Sequence, residues 1–142
     1  MAYEGDIILA CPAVEYSTVW AVVVSGAMLN PCGHALLYTG LSSKQGGWYF
    51  HVAQAYGLPR QMPTDDLYRQ YLKENGKREI KRYAVQLPNP AGAAKRLEEL
   101  VGKPWVWGVL PHNCAAFVED VVRAGGSSAG LYTNCPRLER FN

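Results

Sequence analysis

The sequence predicts a single α+β domain built on an antiparallel sheet, and three observations carry that reading. Two short segments with period-2 patterning flank a Gly- and Ser-rich stretch, Gly40–Gly47, as the arms of a hairpin do. Three later segments carry helix-period apolar positions or helix start and stop signals. The order along the chain is strand, an ambiguous segment, two strands, helix, strand, helix, helix, which suits an α+β architecture. A length of 142 residues fits one domain able to bury a core without disulfides or metals.

Each element has its own justification. Gly5-Asp6 turns into a short buried strand at Ile7-Ile8-Leu9-Ala10, which Pro12 ends. Ser17 or Thr18 can cap a helix running to Val24, yet the β-branched run is equally compatible with a strand, so both stay open. Residues 13–30 are accordingly an inserted helix, a lid or part of the core. Asn30-Pro31-Cys32-Gly33 is a turn. Gly33–Thr39 reads as a strand with His34, Leu36 and Tyr38 on one face and Ala35, Leu37 and Thr39 on the other. Trp48–Ala53 reads as its partner, with Tyr49, His51 and Ala53 sharing a face, so that His34 and His51 can lie on one side of one sheet.

Pro63-Thr64-Asp65-Asp66 looks like a helix start, with acids in the first turn favoured by the dipole. That helix runs to about Glu74 and stops at Asn75-Gly76. Glu79–Leu87 suits a strand broken by Pro88–Pro90. Ala91–Val101 is a helix with Ala94, Leu97 and Val101 at i, i+3, i+7, and Gly102 stops it. After a loop over Lys103–His112, Asn113–Ala124 is a helix with Cys114, Phe117, Val118, Val121 and Val122 on one stripe. Gly125-Gly126 ends it, and the remaining tail lacks periodicity.

Composition narrows the function. A net charge of +2 is too small to argue for nucleic acid. The basic run Lys73–Arg82 reads as a solvated turn, with an anion-facing patch as the other reading. The start, MAYEGDIILA, carries acid where a signal peptide needs basic residues, and the most apolar stretch, Val19–Leu29, is too short to span a bilayer. The expectation is a chain made in the cytoplasm without a transmembrane segment, staying there or leaving by a dedicated secretion machine. Cys11, Cys32, Cys114 and Cys135 show no CxxC or CxxH pair, so reduced thiols are expected and a structural zinc site is not.

Cys114 falls in the first turn of a predicted helix, where unpaired N–H groups and the positive end of the dipole favour a thiolate. The same N–H groups can receive the oxyanion of a tetrahedral intermediate. The alternative is a buried structural cysteine, since Cys114 also lies on the apolar stripe. A thiol nucleophile needs one imidazole to take its proton and a third polar group to orient that imidazole. Of three histidines, His34 and His51 can fill those roles, with the cysteine helix docked above them; His112, two positions before Cys114, is a neighbour or a substrate contact.

Gly5-Asp6-Ile7-Ile8, then Gly33–Gly40 (GHALLYTG), then Tyr49–Ala53 (YFHVA), then Asn113–Val118 (NCAAFV) together resemble the lecithin retinol acyltransferase-like proteins. These form a circularly permuted branch of the NlpC-type papain-like superfamily, in which the histidine strands precede the cysteine helix. The resemblance covers segments from Gly5 to about Gly126. It implies a permuted papain-like fold with an antiparallel sheet packed against a helix bearing the nucleophilic cysteine. It implies Cys114 as nucleophile, His34 as general base and His51 as the orienting third member, and it matches Asn113 to the motif's asparagine. Tyr38, on the His34 face, is a candidate to bound the site. The family's Glu-His after the cysteine is Ala115-Ala116 here, about twenty largely apolar residues separate Cys11 from Gly33, and no apolar anchor follows Gly126. These departures bear on substrate more than on chemistry.

The function expected is therefore a cysteine-dependent hydrolase or acyltransferase working through a thioester, without cofactor or metal. Its acyl substrate is a peptide or small-molecule amide, such as a peptidoglycan stem-peptide bond, or a lipid ester. The aromatics Trp48, Tyr49, Tyr56, Trp105 and Trp107 either line that site or pack elsewhere. A secreted effector is one setting, and such an effector would take an immunity or delivery protein as partner. Two rivals stand beside the enzyme: a non-catalytic binding module on the same scaffold, and a zinc site at His34, His51 and Cys114.

Overall fold

A long strand paired on both sides organises the molecule. The computed structural model describes residues 3–8, 15–25, 33–40, 48–52, 59–100 and 113–127. Within them the chain forms β1 (Asp6–Ile7), β2 (Glu15–Val24), β3 (His34–Gly40), β4 (Tyr49–His51), β5 (Arg60–Met62), α1 (Asp65–Glu74), β6 (Glu79–Gln86), α2 (Pro90–Leu100) and α3 (Asn113–Ala124). The strands make one six-stranded antiparallel sheet in the order β1-β5-β4-β3-β2-β6. The α+β class read from the sequence is therefore observed.

The segment that read equally as helix or strand is β2, paired on one side with β3 and on the other with β6. Val19, Ala21, Val22, Val23 and Val24 are all fully buried, because a strand covered on both faces has no polar side to show. Two expectations need correction. In place of a buried strand from Ile7, the described residues hold the two-residue β1 at the sheet edge, with both residues exposed and Ile8 just beyond it buried; Leu9 and Ala10 lie outside the described residues. The strand β5, between Pro59 and Pro63, was not expected at all: three residues, Arg-Gln-Met, carry no alternation to recognise.

The sheet has two cores, one on each face. Ala21, Ala35, Leu37 and Phe50 point to one face and pack with Leu97 of α2 and Phe117 of α3. Val22, Val24, Leu36 and Tyr49 point to the other and pack with Tyr68 and Tyr71 of α1. α1 and α3 begin and end where the sequence signals stand; α2 begins at Pro90, one residue before Ala91, and its expected stop, Gly102, lies outside the described residues. Thr64 caps α1, its Oγ1 accepting from Leu67 N at 3.1 Å, and Gly76 leaves α1 with φ +62°. Pro90 opens α2, where its missing N–H costs nothing. Arg96 of α2 grips both carboxylate oxygens of Asp120 on α3, the shortest contact being 2.8 Å.

The basic run Lys73–Arg82 is not simply a solvated turn. Lys77 Nζ donates to the Ser25 carbonyl at 3.0 Å. Arg82 donates to Glu79 at 2.6 Å and to Tyr49 Oη at 3.2 Å, and its guanidinium lies 5.1 Å from the Tyr38 ring centroid. Among the described residues no helix is long and apolar enough to cross a membrane.

The polarity of α3 matters for the site. Asn89 N donates to Gly125 O at 2.8 Å, so α3 ends beside the chain just past β6. The last residue of β6, Gln86, pairs with Thr18, at the end of the sheet where β3 finishes. α3 runs over β3 and β4, and its length of roughly 18 Å nearly matches β3.

Candidate catalytic site

His34 is the first residue of β3, and the turn before it sets where its ring goes. Gly33 holds φ +80°, and a Cβ there would sit 2.5 Å from the Val24 carbonyl oxygen. Gly33→Ala should therefore cost about 3 kcal/mol, from left-handed strain and the backbone clash together. Urea denaturation checks this; a change within about 0.5 kcal/mol, the range of an ordinary surface substitution, would contradict the conformation.

From that start, His34 pairs with Val24, whose side chain belongs to the α1-side core, so the imidazole points to the same face. His51, the last residue of β4, points there too, its ring edge-on to Tyr71 of α1 at 5.3 Å between centroids. The shared face predicted from period 2 is observed, and the two rings meet: His34 Nε2 lies 2.8 Å from His51 Nδ1, with the ring planes at 78°. Sequence reasoning missed what lies behind them. His51 Nε2 is 2.7 Å from the backbone carbonyl of Glu4.

That carbonyl fixes the protons. A carbonyl only accepts, so His51 Nε2 must carry a hydrogen and donate. In the neutral ring Nδ1 is then a lone pair, which must accept from His34 Nε2–H. The neutral His34 ring is left with its lone pair on Nδ1, and no described residue bonds to it. His51 is fully buried, and His34 as a whole residue is half-buried.

Both rings are held neutral. Burial pushes His34 well below the ordinary 6.5, and His51 and Lys77 push the same way. Burial likewise lowers His51 to about 4; the bond to the Glu4 carbonyl opposes this, while Arg60 and Lys77 add to it. At neutral pH His34 is therefore an unprotonated base.

Cys114 lies in the first turn of α3, as expected, but α3 covers the other face of the sheet. The expectation that the cysteine helix docks above the histidine face is corrected. Ala35 and Leu37 look toward α3, and alternation sends His34 and Leu36 the opposite way, toward α1.

The remaining candidates fall as follows. Tyr38 shares the His34 face, but lies four residues along the strand, roughly 13 Å away by strand rise, between Trp20 and Tyr49 at 5.3 and 4.6 Å. Asn113 is the first residue of α3. The side chains of Asn113 and Cys114 lie outside the described residues, as do His112, Tyr56, Trp105, Trp107 and the other three cysteines. Trp48 packs at the edge of the α3-side core, parallel to Phe50 at 6.5 Å. For the zinc reading, the hydrogen bonds leave His51 no lone pair to offer a cation, and the Cys114 side chain lies outside the described residues.

Comparison with family models, with curated proteins and with solved structures finds no match for this chain.

Proposed function

We propose that this protein is a cysteine-dependent acyl hydrolase or acyltransferase on a permuted papain-like domain, with Cys114 as nucleophile, His34 as general base and His51 as the residue that orients it. The observation that carries the reading is the ordered chain Glu4 carbonyl–His51–His34, which leaves an unprotonated Nδ1 on His34. Two mutually bonded, neutral imidazoles with a fixed proton order are costly to bury, and proton transfer to and from a thiol is a use that fits them.

In this mechanism the Cys114 S–H proton passes to His34 Nδ1 as sulfur bonds to the acyl carbonyl carbon. The carbonyl π pair moves to oxygen, and the N–H groups at the start of α3 stabilise the resulting oxyanion. His34, now imidazolium, shares its Nε2–H with His51 and returns the Nδ1 proton to the leaving amine or alcohol as the C–N or C–O bond breaks. A thioester remains. Water, or an acceptor amine or hydroxyl, gives its proton to His34 and resolves it. No cofactor enters. Amides, including peptidoglycan peptide bonds, and lipid esters both satisfy this chemistry.

The test is the pH profile of iodoacetamide labelling at Cys114, read by mass spectrometry. The wild type should label quickly well below the roughly 8.5 of a free thiol. His34→Gln should label like an ordinary thiol, because its amide can still donate to His51 but cannot take a proton. Equal, ordinary profiles in both proteins would remove the enzyme reading and leave a binding module.

A further inference from the structure

The segment Tyr3–Gly5 is read by three different elements through three consecutive carbonyls. Asn75 Nδ2, at the C-terminal cap of α1, donates to Tyr3 O at 2.8 Å. His51 Nε2, at the end of β4, donates to Glu4 O at 2.7 Å. Arg60 Nη1, at the start of β5, donates to Gly5 O at 2.9 Å. The segment is pinned further at both ends. Tyr3 N donates to Glu74 Oε1 at 3.0 Å, and Asp6 and Ile7 pair with Gln61 and Arg60. Gly5 turns with φ +93°, and a Cβ there would lie 3.0 Å from the Gln61 carbonyl oxygen, so no larger residue follows this path without strain.

Three donors from three elements on three adjacent peptides amount to more than a chain end lying down. The flanking clasps, Asn75 and Arg60, hold the strap at the height where the middle carbonyl meets an imidazole. Backbone carbonyls cannot donate, so this contact imposes a proton order that a water or a hydroxyl, able to donate or accept, would leave free. The strap also belongs to what covers His51, which is fully buried.

We infer that the strap Tyr3–Gly5 is a positioning element for the histidine pair: the Glu4 carbonyl locks the proton on His51 Nε2, and through His51 it leaves His34 Nδ1 free to accept a proton. This rests on the acyl-transfer reading only for its consequence at Cys114; the lock itself concerns the two imidazoles. It follows that anything that lifts the strap, such as a partner protein drawing on residues 1–5, would uncouple the base without touching Cys114, His34 or His51.

Cys11 makes the experiment practical. A synthetic Met1–Ala10 thioester can be ligated to Cys11–Asn142 and the product refolded, with the Glu4–Gly5 amide replaced by an ester, which leaves the Glu4 carbonyl in place as a weaker acceptor. A second variant, Asn75→Ala, loosens the strap from outside the pair. Two quantities are read in wild type and variants: the ring N–H resonances of His34 and His51 by ¹⁵N NMR, and the labelling rate of Cys114 at pH 7. Wild type should show slowly exchanging Nε2–H signals on both rings. Both variants should show faster exchange and a shift at His51, and labelling slower by roughly two- to tenfold, the worth of one hydrogen bond.

Unchanged ring signals in both variants would overturn the lock, as would a wild type whose His51 carries its proton on Nδ1. The two readings fail separately. If the variants move the ring signals but wild-type Cys114 labels as an ordinary thiol, the lock stands and the acyl chemistry falls. If Cys114 labels quickly in every protein and no ring signal moves, the reverse holds.

Discussion

Replacing Cys114 with alanine is expected to lower turnover of an activated aryl ester such as p-nitrophenyl acetate to background, a fall on the order of 10⁴-fold or more. The route depends on a covalent thioester, and without sulfur no group on α3 can form it. Alanine is the strongest helix former, so α3 itself should persist and the melting temperature should barely move. Intact protein incubated with the ester should gain one acyl mass on Cys114 in the wild type and none in the variant. His34→Gln should cost nearly as much as Cys114→Ala, and the double variant no more than either, because residues acting as one unit are not additive. Turnover that survives Cys114→Ala would end the assignment outright. Turnover that falls by independent, multiplying factors in the two variants would break the partnership between thiol and imidazole while leaving each residue some other role.

The arrangement of the two histidines was legible only in part. The period-2 reading of His34, Leu36 and Tyr38, and of Tyr49 and His51, placed both histidines on one face because alternation in a strand is dictated by the backbone alone. The helix signals at Thr64, Gly76 and Gly126 were legible for the same reason: each marks a local backbone requirement. Which face α3 would cover was not legible. Ala35 and Leu37 form as good an apolar face as Leu36 with Val22 and Val24, and the choice between helices is made by tertiary packing. β2 stayed ambiguous because burial on both faces erases the alternation that identifies a strand. The Glu4 carbonyl was invisible in principle, since every residue carries one and only the fold decides which meets an imidazole.

The fold should also lose stability in mild acid, and the sign follows from the two imidazoles. Their ordinary value is 6.5; in the folded protein His51 is lowered to about 4 and His34 well below 6.5. Above pH 6.5 neither folded nor unfolded chains carry these protons, and the stability they permit is complete. As the pH falls below 6.5 the unfolded chain binds protons that the folded chain refuses, so unfolding is favoured by about 1.4 kcal/mol per pH unit per histidine. For His51 the loss continues to about pH 4, where the folded ring also titrates, and amounts to about 3 kcal/mol. Between pH 6.5 and 5 His51 alone costs about 2 kcal/mol, a sizeable share of the roughly 5–15 kcal/mol that holds a domain together, and His34 acts in the same direction. Glu74 and Glu79 are lowered from 4.5, so the stability they lend is lost only as the pH falls below that value. Urea midpoints measured between pH 7.5 and 5 should therefore drop steeply, and His51→Gln should flatten the slope by about one proton. A flat profile in the wild type would mean that the rings are not held neutral, and the proton order drawn from Glu4 would fall with them. The connection is physical rather than incidental: the burial that keeps His34 and His51 free of protons at neutral pH is the same burial that acid turns against the fold.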